Sequence, residues 1–348
     1  MNPKYKILLY LGGLMLLGFL TYLVFRTYST RPGNTTASPA PGTKIAQDVG
    51  LAEKVFFPSL SADGQELYYL GDHGSKLKKY NFSSGETKTL NDNEVLFTVQ
   101  AFWSPDKSMV ILKNNDPKAT TTTRFYNLQN KSIKDLSPAI GQVLWNSDAK
   151  KIYYQFKDAT KNELQSANSD GSNFSKIIDL KYDDYGLIWL DNFQKIGFWS
   201  IPGDVGGTVL NILDLQSKKT SQIFSDYSLS DAVDSPNGDF IAYVEFQKSD
   251  NTTTLACTKA DGSSINNLKI NTTLDKAAWV DDNQLIAAFK GSSKDDDFLL
   301  ANCSSGETNK FEIQSQSPDP IDAQNLMVSQ SIVYFTSNDT LYKMALNK

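Results

Sequence analysis

The chain has 348 residues, room for one large or two ordinary domains, and its 40% hydrophobic and 21% charged content is that of an ordinary globular protein. Lys4, Lys6 and Arg26 are the only charges in residues 1–26, so residues 27–348 carry 31 basic against 39 acidic residues, a net of −8. That balance argues against nucleic acid as a partner, because phosphate binding needs clustered Lys and Arg, and against flat docking on anionic lipid.

Residues 7–25, ILLYLGGLMLLGFLTYLVF, form a charge-free run of 19 residues. At 1.5 Å per residue a helix of that length nearly crosses a hydrocarbon core of about 30 Å. Tyr10 and Tyr22 stand near its ends, and Lys4 and Lys6 precede it. The positive-inside rule then puts residues 1–6 in the cytoplasm and everything after Arg26 outside, on a single-pass anchor in what composition suggests is a bacterial plasma membrane. A cleaved signal peptide has a shorter apolar core, of about 7–15 residues, and a small-residue site after it. Residues 26–44 are rich in Pro, Gly, Ser and Thr and read as a flexible tether.

From residue 45 onward no helical periodicity appears. Aromatic and β-branched residues are spread between clusters of Ser, Thr, Asn, Asp and Gly, which favours short strands. Trp103, Trp145, Trp189 and Trp279 recur in phase, and an aliphatic residue follows each by seven positions. The aliphatic column runs Leu67, Val110, Ile152, Ile196, Ile241, Ile286 and Ile332, at intervals of 42–46 residues. Between the two columns lies a tight turn: Ser-Ala-Asp-Gly at 61–64, Ser-Pro-Asp-Lys at 104–107, Asn-Ser-Asp-Ala at 146–149 and Ser-Pro-Asn-Gly at 235–238. A strand, a variable polar loop, a third strand and a second turn follow. The second turn is identical at residues 83–87 and 304–308, and Asp-Gly holds its place at 170–171 and 261–262. Seven such units predict an all-β fold, a seven-bladed β-propeller of four-stranded blades over residues 45–348, preceded by one transmembrane helix. The Trp column is read as packing between blades. The last unit ends after its third strand, so residues 45–50 are expected to supply the missing fourth and close the ring.

At Ser61–Tyr69, Ser104–Ile111 and Ser235–Tyr243 the turn followed by an Ile/Leu-rich strand resembles the TolB-type propeller repeat, a relative of the WD-repeat class. The pattern is degenerate at Trp189–Phe198 and Trp279–Ala288. The resemblance implies a propeller that binds partners on one face of the disc, and no reaction.

Signs of chemistry are few. His73, the only histidine, lies in Gly-Asp-His-Gly and reads as an exposed turn residue, which leaves no Ser-His-Asp triad and no histidine-rich metal site. Asp183-Asp184 and Asp295-Asp296-Asp297 match no calcium loop and read as solvated. Cys257 and Cys303 read as buried or half-buried thiols, with a disulfide open to a chain outside the cytoplasm. No cofactor and no metal are expected, and the chain is expected not to be an enzyme. The loops joining second to third strands are the longer set and share a face with the inter-blade loops. They offer Asp116, Tyr185, Asp204, Asp250 and Asp296 as a partner-binding surface. The function expected is a membrane-anchored extracytoplasmic scaffold for a protein or ligand in the cell envelope. The alternative is a glycan-active enzyme or lectin using carboxylates in the central funnel.

Overall fold

Short β-rich runs separated by Ser, Asp, Asn and Gly turns build antiparallel sheets that repeat seven times around one axis. The computed structural model describes residues 43–118, 121–201, 208–224, 229–247, 252–291 and 293–346. The predicted spanning run, 7–25, lies outside these residues, as do residues 26–42 of the tether. Among the described residues no helix is long and apolar enough to cross a membrane.

The first strands of the blades are Phe56–Leu60, Thr98–Trp103, Ile140–Trp145, Tyr185–Leu190, Leu229–Asp234, Ala277–Trp279 and Gln324–Ser329. They are the inner strands: neighbours touch around the ring and the last touches the first, except that the blade 5 strand meets the short helical turn Leu274–Lys276 that leads into the blade 6 strand. Every residue of the aliphatic column falls in a second strand. Six of the seven are fully buried between neighbouring sheets, and Ile332 is half-buried.

The turns explain why so regular a repeat needs so little sequence. Ser61, Ser104 and Ser235 each direct a hydroxyl to the residue two positions on and accept the amide five positions on, and Asn146 does the same with its amide side chain. The fourth turn residue has positive φ: Gly64 at 68°, Lys107 at 58°, Ala149 at 57° and Gly238 at 75°. In the identical second turns, Asn81 and Asn302 cap the two amides that follow, and Gly85 and Gly306 take the left-handed position.

The inner edge of each sheet faces the channel, and neighbouring blades supply its missing partners. Trp103 Nε1 donates to Phe57 O at 3.0 Å, Trp145 Nε1 to Phe102 O at 3.0 Å, and Trp189 Nε1 to Trp145 O at 2.7 Å. Three tryptophans of the column are therefore pins from blades 2, 3 and 4 to the blade before. Gln142 reaches forward, accepting from Leu187 N at 2.8 Å and donating to Leu187 O at 3.1 Å. Trp145→Phe is expected to cost about 2 kcal/mol, about half of it from the lost hydrogen bond and the rest from the smaller ring. Trp279 has its indole N–H buried without a partner among the described residues, so Trp279→Phe is expected to cost less. Urea midpoints of the two variants test the ranking.

The ring closes as expected. Lys44–Asp48 pairs antiparallel with Thr340–Ala345, the third strand of blade 7, with Gln47 opposite Lys343. One strand was not anticipated. Ile313–Ser315, in the link from blade 6, pairs parallel with Lys44–Ala46 and makes blade 7 five-stranded. It covers what would otherwise be an open edge.

Cys257 and Cys303 form a disulfide, correcting the expectation of two thiols. It joins the third strand of blade 5 to the end of the third strand of blade 6, and both residues are fully buried.

Candidate functional site at the mouth of the channel

Each inner strand begins on the long-loop face and ends at a tight turn on the other, so seven strand starts converge around one mouth. Blade 2 brings apolar groups there. Leu96, Phe97 and Val99 are 52%, 51% and 49% exposed. Phe97 has φ 56°, and Phe57, entering the inner strand of blade 1, has φ 51°. Bulky side chains at positive φ are strained, and both sit beside a register shift that turns the strand. The strain is held from outside: Phe97 O accepts Asn115 N at 2.9 Å, and Asn114 Nδ2 donates to Leu96 O at 2.6 Å.

Blades 4 to 7 bring acids to the same rim: Asp184, Asp231, Asp275 and Asp322, all exposed. Asp231 is reached by solvent, yet enclosure by the channel wall raises its carboxyl above the ordinary range. The Ala232 amide, at 2.9 Å, opposes the rise, and the charge of Asp275 adds to it. Burial lowers Lys113 of blade 2, partly offset by Asp184.

Two lysine-centred clusters brace the face. Lys78 Nζ lies 2.8 Å from both Glu53 and Asp72, and Tyr69 donates its hydroxyl to Glu53 at 2.8 Å. Lys276 bridges Asp296, at 2.8 Å, and Asp322. Burial works against the Lys276 ammonium, but the hydrogen bonds it donates to Asp296 and Asp322 outweigh it and raise its pKa. Asp296 also accepts Ala323 N at 2.9 Å, and Asp295 accepts Ile321 N at 2.9 Å. Asp295 and Asp296 are therefore buried ties between blades 6 and 7, not the solvated loop expected from sequence. Among the described residues no group of His, Cys, Asp or Glu is arranged to hold a metal.

The residues singled out from sequence do not assemble into one surface. Asp116 is half-exposed and caps its own loop through Lys118 N at 2.8 Å. Tyr185 is buried at the head of the blade 4 inner strand, its hydroxyl accepting Lys181 N and Tyr182 N at 3.2 Å. Asp296 is buried in its lysine cluster. Asp204 and Asp250 lie outside the described residues. Sequence reasoning passed over Leu96, Phe97, Asp231 and Asp275. Their signal was position, since each stands three to seven residues before the tryptophan column, where an inner strand begins.

At the other end of the channel, Asp234 holds the tryptophan position in blade 5, paired with Ile241. Burial pushes its carboxyl up to about 7, against the pull of its own amide. An unfolded aspartate titrates near 3.9. Between about pH 4 and 7 the native state therefore binds the extra proton, and stability falls as pH rises through that window. The turn aspartates act in the opposite sense below it: Asp170, lowered to about 2 by Ser172 and Lys134, loses its contribution only as pH falls from about 4 to 2. Asp234→Asn is expected to flatten the pH 4–7 slope of the urea midpoint. Parallel slopes in the two proteins would refute this.

No model of a known protein family matches the chain, and no curated protein matches it. Solved structures do. An oligogalacturonate lyase from Vibrio parahaemolyticus superposes with a TM-score of 0.61 at 14% identity, over 89% of this chain and 93% of that one. TolB from Acinetobacter baumannii gives 0.51 at 13% identity, over 82% and 67%. The β-propeller domain of the Trilobed protease from Pyrococcus furiosus gives 0.53 at 15% identity, over 87% and 94%. At these identities the likeness is one of fold, and the fold is a seven-bladed propeller similar to TolB. The lyase corrects the expectation that this chain is not an enzyme. A protein of nearly the same extent and fold is one, so a lone propeller without a familiar motif is no argument against catalysis.

Proposed function

We propose that the chain is a membrane-anchored extracytoplasmic propeller that binds a protein partner at the mouth of its channel on the long-loop face. The observation that carries this is the divided mouth, with exposed Leu96, Phe97 and Val99 on one side and the acids of blades 4 to 7 on the other. Three exposed apolar residues within four positions cost solubility unless something covers them. The charge-free run 7–25 and the Lys4 and Lys6 before it support the anchor. The Cys257–Cys303 disulfide supports a position outside the cytoplasm, where such bonds form and persist. A photo-reactive phenylalanine analogue at Phe97 of the full chain, irradiated in intact cells, is expected to give one discrete adduct. Asp231→Asn together with Asp275→Asn should weaken it. Absence of any adduct would sink the proposal.

A second reading, a glycan-active enzyme, is favoured by one observation: the Asp231 carboxyl, raised by enclosure, feels the charge of Asp275 in the short helical turn that leads into the blade 6 inner strand. A carboxyl raised by enclosure, with a second carboxylate residue close by, is an arrangement suited to proton transfer. The oligogalacturonate lyase shares the fold, so oligogalacturonate is the first substrate to assay. Cleavage lost in Asp231→Asn would support this reading, and no cleavage across neutral and acidic glycans would end it.

A further inference from the structure

Two blade interfaces carry equivalent wedges on the short-turn face, and one serves as a control for the other. Between blades 2 and 3, the blade 3 turn at 168–172 crosses the outer strand of blade 2, Ser132–Leu136. Gly171 packs so closely that a Cβ there would lie 2.8 Å from Leu136. Beside it, Asp170 takes the Lys134 ammonium at 3.0 Å, strapping the two blades together.

Between blades 4 and 5 the same parts recur. The turn at 259–263 repeats Asp-Gly-Ser, and Ser263 N and Oγ hold Asp261 Oδ1 at 2.9 and 2.6 Å, as Ser172 holds Asp170 at 3.0 and 2.6 Å. A Cβ on Gly262 would lie 2.3 Å from Ile223 of the blade 4 outer strand. One part differs. Lys134 pairs with Phe125 and Ser221 pairs with Ile212, each one position before the residue opposite the aliphatic column. Ser221 thus stands where the strapping lysine should be. Among the described residues Asp261 makes no ion pair.

A cleft of about 720 Å³ opens there. Its floor is Ile212, Ile223 and Ala260, and Asp214, Asp239 and Asp261 line its rim with Lys219. Lys195, also in the lining, is committed to Asp191 at 2.9 Å. The wedge between blades 2 and 3 is lined by Asp, Ser, Asn, Gln and Lys150, and Met109 and Ala149 are its apolar side chains.

We propose that the cleft between blades 4 and 5 is a docking site for a protein segment that carries a lysine beside an aliphatic side chain. The ammonium takes Asp261 as Lys134 takes Asp170, and the aliphatic group covers Ile212 and Ile223. Charge selects the occupant: three carboxylates face Lys219, which makes no ion pair among the described residues, Lys259 acts on Asp261 through space without a salt bridge, and hydrogen bonds from Ser217 and Ser263 keep Asp214 and Asp261 ionised at neutral pH. The site lies on the face opposite the channel mouth and stands whether or not that mouth binds a partner.

The test is selection of a phage-displayed library of 12-residue peptides on the full chain in detergent. Peptides with a lysine or arginine next to Leu, Ile or Val are expected to enrich. Ser221→Lys, at an exposed position, restores the strap and should weaken the enriched peptides at least tenfold, while Ser221→Ala leaves them unchanged. Equal binding to Ser221→Lys, enrichment of peptides without a basic residue, or no enrichment at all would each overturn the proposal.

Discussion

A chain starting at Val49 is expected to be far less stable than one starting at Thr43, although it lacks only one strand, Lys44–Asp48. Lys44–Asp48 fills the gap between Thr340–Ala345 and Ile313–Ser315, and it buries Ala46 in the core shared by blades 6 and 7. Removing it breaks the hydrogen bond from Lys44 N to Glu312 O and those of the ladders with Ile313–Ser315 and Thr340–Ala345. At about 1 kcal/mol net for each bond, the loss is on the order of 4 kcal/mol. That is a large part of the 5–15 kcal/mol that holds a typical protein folded. It also frees two strand edges, which invite pairing between molecules. Urea unfolding of the two chains should show the midpoint falling, and size exclusion should show association of the shorter one. An unchanged midpoint in a monomeric short chain would mean that the ring does not depend on its N-terminal strand.

Loss of the disulfide should have an effect of similar size. Cys257 and Cys303 are 46 residues apart, and closing a loop of that length lowers the entropy of the unfolded chain by an amount worth about 4 kcal/mol at 25 °C. The bond also staples blade 5 to blade 6 beside Asn266, whose amide donates to Cys303 O at 2.7 Å. Unfolding in urea with and without reductant measures the term directly. A Cys257→Ala, Cys303→Ala chain should show the same loss plus a smaller packing cost. Because both sulfurs are fully buried, reductant added to the native protein should act only at the rate of opening. Equal stability in the oxidised and reduced proteins would show that the link adds nothing to the fold.

The architecture was legible in the sequence because a propeller repeats one local solution. The Ser, Asp and Gly of the first turn act within six residues, and the aliphatic column marks a strand buried on both sides, so both signals survive without knowledge of neighbours. The missing last strand announced the closure by residues 45–50. The mouth was not legible in the same way. Asp231, Asp275, Phe97 and Leu96 lie far apart along the chain and meet only because seven inner strands start on one ring. Acid runs misled for a related reason. Asp295 and Asp296 look like a solvated loop, but Lys276, Ile321 and Ala323 arrive from elsewhere in the fold to neutralise them.

Blade count, strand order within each blade and the turns are written locally in the chain, since they depend on contacts within about 45 residues. Tertiary structure decided what proximity controls: the cysteine pairing, the fifth strand of blade 7, the raised carboxyls of Asp231 and Asp234, and the cleft left open by Ser221. Desolvation and charge act through space, and no local pattern records which blade a side chain will meet.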